Sequence, residues 1–390
     1  MISYLSASWV YPVSSEPVKD GVIAVDEQGE ILAVYRPEEI REKQITPTRY
    51  DQGVLVPGLI NTHCHLELSH LLGAIPEHTG LPEFVREVMQ HRTAGEAEIS
   101  AAMTGADQQM RNNGIVAVGD ISNHIASREV KLASPLYYHT FVETMSFNPE
   151  KAGEMIDRAK QIKSAFFPLN ATVVPHAPYS VSAALFAAIR DISGGAGDVL
   201  SIHNQETADE NLFFEAKSGH FLNLYDFLGL DISFFRATGR SSLQSYLPQL
   251  PAAPSTLLVH NTFTSADDIA FAQGIHPRLF WCLCPNANRY IENRLPDVQQ
   301  LIAAGATITL GTDSLASNHQ LSILSEMYTL QQEKGIAFEE LLSWATINGA
   351  RFLQIDAIYG SFEAGKRPGI NLLQLDKGKL SRDSRVTRLI

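Results

Sequence analysis

The chain has 390 residues, 45% hydrophobic and 19% charged, which provides ample material for a large core and excludes extended disorder. Its net charge of −13 repels phosphate backbones, so nucleic acid is not an expected partner, while a small neutral or cationic substrate is not excluded. Three cysteines form no disulfide framework, no basic leader opens the chain, and no apolar run nears the ~20 residues of a membrane span, so a cytoplasmic protein without a membrane partner is expected.

The first fifty residues read as strands. GVIAV and ILAVY alternate about the turn-like DEQGE, a hairpin pattern, and the last thirty residues repeat it with NLLQL and RVTRLI about DKGKL. Both ends are therefore expected to build one composite β-sandwich domain from residues 1–56 and 361–390.

Residues 57–360 alternate short β-rich runs with longer helix-compatible segments. The runs are VLVPGLINTH, IVAVGDIS, LYYHTFVE, ATVVPHAP, VLSIHNQE, TLLVHNTF, LFWCLCP and TITLGTD. Segments such as LPEFVREVMQHR, ALFAAIRDI and SADDIAFAQ carry helical spacing or N-cap-like starts. Apolar runs between helices imply parallel strands buried on both faces, and eight of them imply a closed (β/α)8 barrel of the TIM type. No Gly-x-Gly-x-x-Gly follows the first run, which disfavours a dinucleotide-binding sheet.

In such barrels the reacting groups sit where strands end and the chain leaves the packed interior. The first run ends in His63 and His65, the fourth in His176, the fifth in His203, the sixth in His260 and the eighth in Asp313. Five of the 13 histidines thus fall at strand ends, more than scattered structural histidines would place there. A lone histidine at a strand end is most often a hydrogen-bonded structural residue. A strand period of two, however, points His63 and His65 to one side, with Glu67 following if the strand persists. With His203 and Asp313 they make a four-residue metal site. Imidazole and carboxylate suit Zn²⁺, with Fe²⁺ also compatible, and three histidines plus one aspartate leave an open position for water. Glu206, three residues beyond His203 in LSIHNQETADE, is the candidate general base if the chain turns there into a helix.

These motifs resemble the amidohydrolase superfamily, in its branch of aminohydrolases and triazine chlorohydrolases. The resemblance rests on PGLINTHCHLELS, VPHAPYSVS, HNQE, VHN, CPNANRYI and GTDSLASN, in that order from about Gly53 to Gly365. It implies metal ligands His63, His65, His203 and Asp313, proton shuttling by Glu206, and orientation of the hydroxide or of the developing charge by His260. It further implies substrate contact by His176 and a homodimer. Relatives with two metals use a carboxylated lysine at the fourth strand; NATVVPHAPYS has none, so one divalent ion, Zn²⁺ before Fe²⁺, is expected. The implied reaction is hydrolytic deamination of an aminated heterocycle by a metal-activated water. Within the branch, HLELS and GTDSLASN resemble aminofutalosine-deaminase-like proteins, which take an adenine nucleoside derivative; guanine and pterins are the other heterocycles considered. Amide hydrolysis, triazine dechlorination and a non-catalytic barrel are the alternatives.

Glu67 is read as a substrate contact, against a structural salt bridge. LPEFVREVMQHR reads as an outer barrel helix, against a helix lining the pocket mouth. His220, amid the apolar residues of SGHFLNLYDFLG, reads as core or lid packing. Cys64 alternates away from the ligand face, and Trp281, Cys282 and Cys284 belong to a buried seventh strand.

Overall fold

The computed structural model describes residues 1–390 apart from the side chains at positions 51 and 52. Strands β1 (Ser3–Val10), β2 (Val18–Lys19), β3 (Val22–Val25), β4 (Ile31–Tyr35) and β5 (Thr48–Pro57) come from the N-terminal part of the chain. Strands β14 (Ile370–Leu373) and β15 (Val386–Arg388) join them in one seven-stranded mixed sheet, ordered β15-β14-β5-β1-β3-β4 with β2 on β1. The β3–β4 hairpin turns at Gly29, whose φ of 81° favours glycine. The Asp26 carboxylate accepts from the backbone of Gln28 and Glu30 (both 2.8 Å) and fixes that turn.

Eight parallel strands follow: β6 (Leu59–Cys64), β7 (Ile115–Ser122), β8 (Tyr137–Thr144), β9 (Asn170–Pro175), β10 (Val199–Asn204), β11 (Ser255–His260), β12 (Leu279–Leu283) and β13 (Ile308–Leu310). Each pairs with the next inside two four-stranded halves, β6–β9 and β10–β13. The first apolar run is divided between two sheets: VLVP ends β5, LINTHC is β6, and Gly58 stands between them. A Cβ at Gly58 would overlap Val116 and the Pro368 carbonyl, so only glycine passes there.

The halves close on each other at their C-terminal ends. His203 N donates to the His176 carbonyl (3.0 Å), and Thr312 and Asp313 N both donate to the His63 carbonyl (3.0 and 3.1 Å). Both seams of the barrel therefore run through residues expected at the site. Alternate strand residues enter two apolar clusters, as a strand covered on both faces requires. Val118, Val142, Val173 and Leu258 pack with the helix residues Met110, Ile156 and Leu185, while Ala117, Phe141, Val174 and Val259 fill the other cluster. Helices begin where their caps dictate: Ser182 caps Ala183–Ile192, and Ser265 forms a capping box with Asp268 at Ala266–Ile275. Cys64, Cys282 and Cys284 are buried and unpaired. Among the described residues no helix is long and apolar enough to cross a membrane.

Candidate metal and catalytic site

Strand ends bring the imidazoles together. The Nε2 atom of His65 lies 3.2 Å from His63 Nε2 and 3.3 Å from His203 Nε2. Asp313 Oδ1 stands 3.5 Å from His63 Nε2 and 3.4 Å from His65 Nε2. One donor atom from each of His63, His203, His260 and Asp313 falls within 4.8 Å of all the others. His203 Nδ1 donates to the His176 carbonyl (2.8 Å), which fixes the tautomer and turns the Nε2 lone pair into the cluster. Nitrogens in this face-to-face arrangement cannot all hydrogen-bond one another. Their spacing matches the ~3.3 Å edge of a tetrahedron whose ligands lie ~2.0–2.1 Å from zinc. The donor set fits a cation.

The protonation states agree with that. Burial holds His176, His203 and His260 down at about 4 and His65 well below its usual value. Burial works against the Asp313 carboxylate, but its bond to His63 and the imidazoles of His65 and His260 hold it well below the usual range. Neutral imidazoles and an ionised carboxylate are the ligand forms at neutral pH. A second group, Glu143, His176 and His203, also converges within 4.8 Å, with His203 Nδ1 spent on the His176 carbonyl.

Backbone shape at the strand ends supports the aim of these side chains. His260, Asn261 and Asp313 adopt positive φ (76°, 59° and 56°), a conformation that costs non-glycine residues of order 1–3 kcal/mol each. Asn261 Nδ2 offsets part of it by donating to the carbonyls of Leu258 (2.9 Å) and Cys282 (3.0 Å). Gly311 precedes the eighth-strand turn because a Cβ there would sit 2.8 Å from both His63 Cβ and Cys282 Sγ. Ser317 donates its hydroxyl to Asp313 Oδ2 and leaves Oδ1 facing the imidazoles.

Glu206 stands beside this set, its Oε1 3.5 Å from His260 Nε2. Burial, reinforced by the Asp313 charge, pushes its carboxyl well above the usual range and so favours its protonated form. His260 Nδ1 faces Asn288 Oδ1 at 3.5 Å. His176 Nδ1 lies 2.7 Å from Ser180 Oγ, whose own hydroxyl donates to the Ala177 carbonyl (3.0 Å).

A cavity of about 190 Å³ opens over the set, and the structure places His65, His176, His203, Glu206, His260 and Asp313 on its wall. Glu67 is there too, but by a different route: β6 stops at Cys64, and Leu66–Leu71 is a 3₁₀ turn. Its Oε2 accepts from Asn123 N (3.0 Å) and lies 3.0 Å from His124 Nδ1. The helix Leu81–His91 forms the opposite wall through Leu81, Phe84, Val85 and Val88, and so lines the pocket; the barrel helix of that unit is Glu96–Asn112, which buries Met103, Ala106 and Met110. A larger cavity of about 430 Å³ lies beside it, lined by residues such as His78, Arg86, Asp209 and Glu292 rather than by the converging set.

Two expectations are corrected: LPEFVREVMQHR is not the outer barrel helix but lines the pocket, and His220 is not buried. His220 is no core residue: its side chain is 75% exposed, it precedes the helix Phe221–Phe227, and Asp209 pairs with its Nδ1 at 3.0 Å. The apolar neighbours belong to the buried face of that helix, which starts one residue later.

Two pocket residues and one buried support behind them escaped the sequence reading. Glu143, next to last in β8, lines the cavity, and burial pushes its carboxyl up to about 7. Asn123 holds Glu67 through its backbone and Glu143 through its side chain. Asp120 on β7 accepts from Leu66 N (2.8 Å) and pairs with the fully buried Lys131 Nζ (2.7 Å), pinning the chain just after His65. Glu143 was discoverable by the strand-end rule that found the histidines; Asp120, inside an apolar run, carried no such signal.

The family model described as the amidohydrolase family matches residues 54–389. The chain belongs to the amidohydrolase family. Among amidohydrolase-like relatives, an adenosine deaminase of Helicobacter pylori is 26% identical over 364 residues, spanning 92% of this chain and 88% of that one. The solved structure of H. pylori aminofutalosine deaminase in complex with methylthio-coformycin superposes with a TM-score of 0.81 at 24% identity, covering 97% of this chain and 93% of the other. Atrazine chlorohydrolase from Arthrobacter aurescens TC1, complexed with zinc, gives a TM-score of 0.74 at 18% identity, covering 96% and 87%.

Proposed function

We propose that this amidohydrolase removes an amino group hydrolytically from an adenine-nucleoside-like substrate, with His63, His65, His203 and Asp313 holding a single zinc ion. The observation that carries the reading is the convergence of three imidazole Nε2 atoms and one Asp313 oxygen beside a buried Glu206. The adenosine deaminase and 5-methylthioadenosine/S-adenosylhomocysteine deaminase among the relatives support the substrate class.

When bound, the ion supplies Lewis acidity that brings the pKa of a water towards ~7. Glu206 moves the protons: it takes one from the attacking water and gives it to the ring nitrogen beside the reacting carbon. It then takes the second from the hydroxyl now on that carbon and delivers it to the departing amine as the carbonyl forms. His260, with Nδ1 turned to Asn288, presents the Nε2 lone pair and orients the water by accepting its hydrogen. Leu81, Phe84 and Val85 exclude bulk water from the reacting ring. The products are ammonia and a ring carbonyl.

The test is product analysis of the zinc-loaded protein with adenosine, 5'-deoxyadenosine, 5'-methylthioadenosine, guanine, a pterin and a chlorotriazine. Ammonia from one or more adenine nucleosides supports the reading. Chloride from the triazine, or no product from any adenine nucleoside, overturns it.

A further inference from the structure

Glu143 is a buried pocket carboxylate whose hydrogen-bonding capacity is only partly used by the described residues. Its side chain is 3% exposed, Oε2 accepts from Asn123 Nδ2 (3.0 Å), and Oε1 has no donor among the described residues. His203 Nδ1 is 3.5 Å away, but its hydrogen is directed at the His176 carbonyl. Glu67, in the same wall, has both Asn123 N and His124 at one oxygen. A buried carboxylate accepts up to about four hydrogen bonds, and one left short is costly unless a ligand brings the missing donors. A ring nitrogen of His176 also lies within 4.8 Å of the Glu143 carboxylate. Because Ser180 spends its hydroxyl on Ala177, His176 donates from Nδ1 and presents Nε2 as a second acceptor. The wall beside the metal ligands therefore offers two acceptors side by side and calls for two neighbouring donors.

We propose that Glu143, with His176 beside it, reads the vicinal 2',3'-diol of the substrate's ribose. This assignment rests on the nucleoside reading above. A purine presented to Glu206 by its six-membered ring carries the diol as its adjacent pair of donors, and a hydroxyl pair meets two acceptors that no backbone or arginine among the described residues serves. Glu143 would then select ribonucleosides over free bases and dideoxynucleosides.

The experiment compares kcat/KM for adenosine and 2',3'-dideoxyadenosine in the zinc-loaded wild type, Glu143→Ala and Glu143→Gln, with zinc content measured in each. The wild type is expected to prefer adenosine at least ~10-fold, the worth of a hydrogen bond to a charged group. That preference is expected to fall to near one in Glu143→Ala and to an intermediate value in Glu143→Gln, with zinc content unchanged. A wild-type ratio near one overturns the assignment without any variant. So does an unchanged ratio in both variants accompanied by lost zinc, which would make Glu143 a support of His203 instead. No deamination of either nucleoside by the wild type would overturn the nucleoside reading, and this assignment with it.

Discussion

At the scale of single residues, the site depends on side chains that are themselves held. Asp313 offers Oδ1 to the imidazoles because Ser317 occupies Oδ2, and His203 offers Nε2 because the His176 carbonyl occupies Nδ1. Removing such a partner typically weakens metal binding 10–100-fold. Ser317→Ala is therefore expected to raise the zinc dissociation constant by about that factor, read by chelator competition; an unchanged constant would separate Ser317 from the metal site. The converging imidazoles were legible because histidines at the ends of apolar runs are conspicuous. Glu67 was legible as a pocket residue but not in its bonding, because its partners Asn123 and His124 arrive 56 and 57 positions later on another strand end.

Elements are locked together by buried polar groups that no local pattern announces. Lys131, from the helix Arg128–Ala133, reaches Asp120, Ser122 and Thr140 with its ammonium and lies 4.8 Å from the Phe166 ring centroid. Breaking a buried pair from one side costs about 3–5 kcal/mol because the other charge stays buried. Lys131→Met is expected to lose that much in urea unfolding, and Lys131→Met with Asp120→Asn distinctly less. Equal losses would contradict a coupled pair. Glu326 plays the same part for the seventh and eighth loops: it accepts from Asn286 N (2.9 Å), Asn286 Nδ2 (3.0 Å) and Asn318 Nδ2 (2.9 Å). Burial pushes its carboxyl up to about 8. A native value above the unfolded one means the native state holds the proton longer. The contribution is thus complete below about pH 4.3 and lost as pH rises through 8, at about 1.4 kcal/mol per pH unit between. Glu326→Gln, which cannot ionise, is expected to gain on the wild type as pH rises from 5 to 8; a pH-independent difference would refute the assignment. The asparagines of CPNANRYI and GTDSLASN were visible as motifs, yet their common partner was not, since Glu326 lies on the helix Ile323–Lys334 that follows both.

At the scale of the whole molecule, eight apolar runs separated by helical segments were enough to identify a closed barrel, because parallel strands covered on both faces leave that alternation in the sequence. The seams between the two half-barrels were not legible. They depend on backbone bonds from His203 to His176 and from Thr312 and Asp313 to His63, which chain periodicity does not encode. Those same seams carry the proposed ligands, so metal binding and barrel closure are expected to be coupled. Stripping zinc is expected to lower the unfolding free energy, and restoring it at 100 times its dissociation constant to return about 2.7 kcal/mol. A melting temperature indifferent to zinc would uncouple the two.

The most direct measurement is ammonia release from an adenine nucleoside by the wild type and by Glu206→Gln at equal zinc content. Release by the wild type, reduced at least about 100-fold in the variant with zinc retained, is the predicted result. Equal rates in the two proteins, or no release by a fully zinc-loaded wild type, would contradict the account.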